Sequence, residues 1–338
     1  MRYRYRYLGG LALAVLLIAG GVFLFRPRAL PPPSAEVPSA ATSPSGGGWP
    51  RSFTDDLGAT VTLTRPARRV VTLSPNLAEI LCAVGASGQL VGVDAYTKYP
   101  PVAAAKPKVG GIINPDFEAI LALNPDLVLV SRGLDLTLVE RLRSFGFPVM
   151  AFDPRSLDEV IALVERLGTI TGRDREAGVL AEDLRTKRQA VEASVQEAGG
   201  PQLRVLVVIG WEGLFVAGAG TFVDDLVTTS GAVNAVRSVP KLDLSKPFPQ
   251  LTREQVALAN PQILIFAGPD AVPSGTHPRV VKAHLKTDPV WSRTPAVRKD
   301  NVAVMEADLL TVPGPRLFDA LLQVRAAVQR ALIPPERR

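Results

Sequence analysis

His277 and His284 are the only histidines of the chain and Cys82 is its only cysteine, so metal and thiol chemistry would start from very few ligands. The histidines stand seven residues apart, roughly two helical turns, with no cluster of carboxylates or thiols beside them, a poor arrangement for one shared ion. Both are expected at the surface. Cys82 lies in the apolar stretch Ala78-Glu79-Ile80-Leu81-Cys82-Ala83-Val84-Gly85, where a small thiol packs into a core, and a lone cysteine forms no internal disulfide. Ser74 follows an apolar strand and precedes a helix, as a nucleophile would. However, Leu73-Ser74-Pro75 lacks the glycines of a nucleophile elbow, and Pro75 removes the amide that an oxyanion would need. Ser74 therefore reads as a helix cap. Gly210-Trp211-Glu212-Gly213 and Gly218-Ala219-Gly220-Thr221 lack a Walker lysine and the dinucleotide spacing. No catalytic residue and no resident metal or cofactor is expected, and the chain does not read as an enzyme.

The residues that remain point to binding. Tyr96, Tyr99, Trp211, Phe215 and Phe248 fall after apolar runs that read as strands, with Arg132 and Asp308 as polar company. In open parallel sheets ligands sit beyond the carboxyl ends of the strands. An aromatic lining with few charges suits a large, flat, partly apolar ligand. Ser74 and Asn76 share that placement.

Two glutamates stand out because their surroundings occur twice. Phe117-Glu118-Ala119-Ile120-Leu121-Ala122-Leu123-Asn124-Pro125-Asp126-Leu127-Val128-Leu129-Val130-Ser131 returns 136 residues later as Arg253-Glu254-Gln255-Val256-Ala257-Leu258-Ala259-Asn260-Pro261-Gln262-Ile263-Leu264-Ile265-Phe266-Ala267. In each copy a glutamate opens a short amphipathic helix, Asn-Pro stops it, and an apolar run follows that reads as a parallel strand buried on both faces. Two copies imply two similar α/β lobes with a ligand between them, and they put Glu118 and Glu254 at equivalent surface positions.

The elements that must position these residues follow along the chain. A chain of 338 residues with 47% hydrophobic content can bury two cores of ordinary domain size. Residues 1–28 read as a signal anchor or signal peptide: Leu8 to Phe25 is an 18-residue run without charge, about 27 Å as a helix. Residues 29–50 are a Pro/Gly/Ser-rich linker. Residues 51–153 form the first α/β lobe, entered through a small hairpin within Ser52 to Thr64. Residues 154–200 are helical, with a capping-box pattern at Ser156-Leu157-Asp158-Glu159 and one long helix from Asp174 to Ala198 that braces the lobes. Residues 201–338 form the second lobe. The net charge of +6 is concentrated before residue 50, and the remainder carries 33 basic and 31 acidic residues without a basic stripe, which excludes a nucleic-acid binder.

From about residue 68 to 333 the chain resembles the family of periplasmic binding proteins for iron complexes and vitamin B12 that serve ABC importers, with the vitamin B12 binders nearest. The resemblance rests on Arg69-Val70-Val71-Thr72-Leu73-Ser74-Pro75, on Val91-Gly92-Val93-Asp94-Ala95-Tyr96-Thr97-Lys98-Tyr99-Pro100-Pro101, on Ala122-Leu123-Asn124-Pro125-Asp126-Leu127-Val128 and on Phe248-Pro249-Gln250-Leu251-Thr252-Arg253-Glu254-Gln255-Val256. It implies the class III architecture, two Rossmann-like lobes joined by a single long backbone helix, in a monomer. It implies that Glu118 and Glu254 meet arginines of an ABC permease, and that Tyr96, Phe215, Phe248 and Asp308 line a pocket for a corrinoid. Ile112, Ser131 and Val312 depart from the pattern of that pocket. A ferric siderophore or heme is the alternative ligand; in heme binders of this fold a tyrosine ligand sits near the Val109-Gly110-Gly111-Ile112 turn, where this chain carries no tyrosine. The remaining alternative is a membrane-tethered sensor. The expected location is membrane-anchored, facing the periplasm or the extracellular side.

Overall fold

The computed structural model describes residues 48–111, 113–131, 136–268 and 278–333. The expected anchor within residues 1–28 and nearly all of the expected linker lie outside these residues, as do Ile112, Arg132 and His277. No helix among the described residues is long and apolar enough to cross a membrane.

An antiparallel hairpin of β1 (Arg51–Thr54) and β2 (Thr60–Leu63) opens the body. Asp55 closes its turn by accepting the backbone N–H groups of Leu57 and Ala59. The same buried carboxylate takes the Ala151 N–H and pairs with Arg143 at 2.7 Å, which pins the hairpin to the first lobe.

That lobe contains β3 (Val70–Thr72), α1 (Pro75–Ala83), β4 (Leu90–Val93), α2 (Pro101–Ala104), α3 (Phe117–Ala122), β5 (Leu127–Ser131), α4 (Leu136–Ser144) and β6 (Val149–Phe152). Its strands pair in parallel in the order β4-β3-β5-β6. The two strands β5 and β6 are buried almost throughout, which is why their sequences are unbroken apolar runs.

Two helices follow, α5 (Leu157–Thr171) and α6 (Asp174–Ala198). Ser156 caps α5 by accepting the Glu159 N–H, but the Glu159 carboxylate accepts from Arg155 N–H instead of closing a capping box on Ser156. The 25 residues of α6 make a rod of about 37 Å. Gly168 lets α5 and α6 approach closely, since a Cβ there would stand 2.1 Å from that of Ala177.

The second lobe contains β7 (Arg204–Gly210), β8 (Phe215–Val216), α7 (Phe222–Thr229), β9 (Val233–Asn234), α8 (Arg253–Ala259), β10 (Ile263–Ala267), α9 (Pro278–Thr287), α10 (Pro295–Arg298), β11 (Val302–Met305), α11 (Ala307–Thr311) and α12 (Leu317–Leu332). Its sheet runs β11-β10-β7-β8, with β9 also on β7 and only β8 antiparallel.

The duplicated unit folds alike in both lobes. Asn124 and Asn260 end their helices at the same left-handed φ of 43°, a conformation asparagine tolerates better than most residues. Arg69 donates to the Leu123 and Asn124 carbonyls, and Arg204 donates to that of Asn260. These arginines satisfy carbonyls that the helix ends leave free.

The join between the lobes holds more than the single long helix expected. Leu157 N–H, at the start of α5, donates to the Asp225 carboxylate in α7. The long helix α6 is tied to α12 by Lys187 with Asp319 and by Arg325 with Ser194. One apolar cluster runs from Leu77, Leu129 and Phe152 through Leu163 and Leu184 to Val207, Ile265 and Leu321. Separate clusters pack the opposite face of each sheet. In place of two independent cores the molecule has one shared inner core and two outer ones.

Candidate ligand-binding cleft

The carboxyl ends of the two sheets meet at a hollow of about 280 Å³. The first lobe contributes Pro75 and Glu79 after β3, and Tyr96, Lys98 and Tyr99 after β4. The second contributes Asp308, Thr311, Val312 and Arg316 after β11. The structure thus brings Tyr96 and Asp308, expected from sequence, into one site.

Local hydrogen bonds hold the Tyr96 loop. Asp94 is fully buried and accepts the Tyr96 N–H at 2.7 Å and the Thr97 hydroxyl at 2.5 Å, while Lys108 donates to the Thr97 carbonyl. The Tyr96 side chain is 60% exposed. Its phenol rests beside Gly111, where a Cβ would stand 3.7 Å from Oη. The turn without a tyrosine of its own therefore receives one from the neighbouring loop.

At the floor of the hollow lies a pair that sequence reasoning missed. Arg316 donates from Nε to Glu79 Oε2 at 2.9 Å, and its backbone N–H donates to Oε1 at 3.2 Å. Its guanidinium carbon lies 3.9 Å from the centre of the Tyr99 ring, a cation–π contact. Burial pushes the Glu79 carboxyl above its ordinary range against the opposing pull of Arg316. The one signal in the sequence is a lone acid on the inward face of an apolar helix.

Phe215 lies on β8 opposite Gly210 at the end of β7, and Phe248 lies in the segment that pairs with the outer side of β8; both are partly exposed. Phe215 bridges to Gln250, and its ring covers Gly210 and Gly213. From β11 to β8 is three strand spacings, about 14 Å, so these aromatics stand toward the other end of the sheet edge from Asp308. Trp211 is not in the hollow with Tyr96. It is half-buried against the outer core of its lobe, stacked on Trp291 at 5.7 Å and packed against Phe266 and the exposed His284. An indole of that size fills core space when a partner ring is available.

Ser74 stands at the N-cap of α1 but makes no capping bond. Its hydroxyl donates to Asn76 Oδ1 at 2.5 Å, and Ser131 donates to Ser74 at 2.9 Å. Cys82 is half-buried against the inner core, and burial raises its thiol pKa.

Glu118 and Glu254 occupy the second position of α3 and α8, both exposed. The cap of α3, Asp116, donates its N–H to the Val109 carbonyl, and Val109 donates to Val93 at the carboxyl end of β4. Beside the cap of α8, Leu251 donates to Leu214, in the turn after β7. Both glutamates therefore stand on the carboxyl-end side of their sheets. Hydrogen bonds from its own backbone N–H and from Thr252 hold the Glu254 carboxyl below its ordinary range.

A family model described as periplasmic binding protein matches residues 70–309. The chain belongs to the periplasmic binding protein family. A periplasmic binding protein is a solute receptor on the extracytoplasmic side of the membrane, not an enzyme. Among similar proteins, the vitamin B12-binding protein of Pectobacterium carotovorum is 30% identical over 259 residues, covering 76% of this chain and 87% of the relative. The cobalamin-binding protein of Halobacterium salinarum is 27% identical over 335 residues, covering 98% and 86%. Two solved structures are also similar to this periplasmic binding protein. The vitamin B12-binding protein BtuF of Vibrio cholerae has a TM-score of 0.67 and 27% identity over 80% of this chain and 99% of that one. The heme-binding protein BhuT, in complex with two hemes, has a TM-score of 0.68 and 28% identity over 80% and 100%.

Proposed function

We propose that this periplasmic binding protein captures a corrinoid between its lobes and delivers it to an ABC permease. The observation that carries the ligand class is the charge balance of the hollow. Among the described residues of the hollow, Glu79 is matched by Arg316, which leaves Lys98 and Asp308 as one charge of each sign beside two exposed tyrosines. A balanced, aromatic site suits a large ring fringed with neutral amides. A ligand rich in carboxylates would call for surplus cations. The names of the relatives from Pectobacterium and Halobacterium support the same reading.

In this reading Tyr96 and Asp308 contact one end of the ligand, and Phe215 and Phe248 the other. Arg132, which lies outside the described residues, is proposed as a further polar contact for the ligand. Trp211 supports the loop from behind. Titration of the protein with cyanocobalamin, hemin and a ferric hydroxamate, followed by calorimetry, tests it. Cyanocobalamin is expected to bind tightest, and preference for either iron compound would refute the assignment. One observation favours a second reading, heme: the Tyr96 phenol beside Gly111 is exposed and able to ligate ferric iron. Under that reading Tyr96→Phe changes the spectrum of bound hemin and leaves cyanocobalamin affinity alone.

Glu118 and Glu254 are proposed to register the two lobes on permease arginines. Changing both to Ala is expected to abolish ligand uptake while affinity is retained. Residues 8–25 are proposed to hold the protein at the membrane; release from membranes by an alkaline carbonate wash would refute this.

A further inference from the structure

Glu79 and Arg316 stand 237 residues apart in sequence. Arg316 makes two hydrogen bonds that run directly from residues 201–332 to Glu79 in residues 51–153. Further polar links between the halves pass through α5 or α6, as in Leu157 with Asp225 and Lys187 with Asp319. The inner core is apolar, and apolar contact is non-directional, so it tolerates small rotations of one packed element against another. The Glu79–Arg316 contact is directional. It combines a charge-assisted bond from the guanidinium with one from the backbone N–H of Arg316, at the start of α12, where the helix dipole also favours the carboxylate.

We propose that the Glu79–Arg316 pair is a clamp between the lobes that sets the opening of the cleft. Three details fit that role. The guanidinium lies on Tyr99, so the clamp also holds a wall of the hollow. The loop before α12 comes so close that a Cβ on Gly314 would stand 2.9 Å from Glu79 Oε1. Both side chains are largely shielded from solvent, and a buried pair that loses one member leaves the other charge uncompensated. The charged groups around the pair are Asp308 on α11, Glu306 at 3.6 Å from the far side of the guanidinium, and Lys98 on the cleft wall. Cys82 lies one turn further along α1, with Lys106 beyond it. Protonating Glu79 removes the attraction and frees the lobes to rotate.

The clamp can be tested without ligand. In the full chain held in detergent and carrying Cys82→Ser, spin labels at Ser144→Cys and Arg298→Cys report the distance between lobes. Glu79→Gln is expected to broaden the distance distribution, and adding Arg316→Gln is expected to broaden it no further. The parent distribution is expected to widen between about pH 7 and about pH 4, while that of Glu79→Gln stays constant. An unchanged distribution in a folded Glu79→Gln protein would overturn the proposal. Should Glu79→Gln fail to fold, Gly314→Ala keeps both charges and crowds the contact; broadening supports the clamp and an unchanged distribution overturns it. The ligand arm rests on the cleft reading: cyanocobalamin is expected to dissociate about tenfold faster from Glu79→Gln, as for one lost charge-assisted hydrogen bond. Broadening without any cyanocobalamin binding would retain the clamp and refute the ligand.

Discussion

In the first copy of the duplicated unit, Asp116 caps α3 and the next residue is Phe117, whose ring packs on Phe145 and under Arg141. In the second copy Thr252 caps α8 with a full capping box, and the next residue is Arg253, which is paired with Asp288 at 2.5 Å. Glu118 therefore stands beside exposed aromatic surface and Glu254 beside an ion pair. The backbone of the two copies is nevertheless the same, down to the left-handed asparagine before proline and the arginine on the helix carbonyls. Features that close a helix and start a buried strand answer to sterics and to backbone hydrogen-bonding needs that both lobes share. Features at the solvent edge answer to what they meet outside, and there the copies have diverged.

Substitutions at equivalent positions test how far this likeness extends. Leu129 and Ile265 occupy the same place in β5 and β10 and belong to the same inner cluster. Changing either to Ala is expected to lower stability by about 3 kcal/mol in urea unfolding, through lost burial and the cavity left behind. Because the cluster is shared, unfolding is expected as one transition; two separate transitions would show that the lobes are independent.

A smaller and unequal effect is expected where the copies use different chemistry for one task. Asp126 accepts the N–H groups of Arg68 and Arg69, whereas Gln262 accepts only that of Arg204. Asp126→Ala is expected to cost about 2 kcal/mol and Gln262→Ala about 1 kcal/mol, the difference between a charged and a neutral acceptor. Asn124→Ala and Asn260→Ala are expected to cost about 1 kcal/mol each, because alanine is strained at positive φ, and the glycine variants much less.

The smallest effects concern acidity. Glu79 has a raised carboxyl pKa, so the native state holds a proton that the unfolded chain releases. Stability is therefore expected to fall as pH rises from the ordinary carboxylate range through the raised value, and Glu79→Gln is expected to flatten that slope in thermal melts. The Glu254 carboxyl is lowered, so its contribution has the opposite sign, present at neutral pH and lost as pH falls through the lowered value. At a fully exposed site it is expected to stay within the error of a melt, and Glu254→Ala to unfold like the parent.

Much of this architecture is legible in the order of the amino acids alone, for reasons that are local. Unbroken apolar runs such as Leu127 to Val130 mark strands covered on both faces. An uninterrupted stretch from Asp174 to Ala198 ending at Gly199 marks one long helix. The candidate site is legible only in part. Tyr96 and Asp308 can be found because ligands gather after parallel strands, but Trp211 follows a strand too and its ring stacks on Trp291, half-buried against the outer core. Ser74 has the residue type of a cap, yet its hydroxyl is taken by Asn76.

The amino-acid sequence by itself determined the duplicated unit, the strands, the long helix and the matching positions of Glu118 and Glu254, since each depends on residues close together along the chain. Tertiary structure alone decided that one inner core runs through both lobes, that Tyr96 reaches the Gly111 turn, and that Glu79 meets Arg316. Those contacts join segments that are not adjacent in sequence. Their partners are chosen by how sheets and helices pack, and no local pattern of side chains specifies that choice.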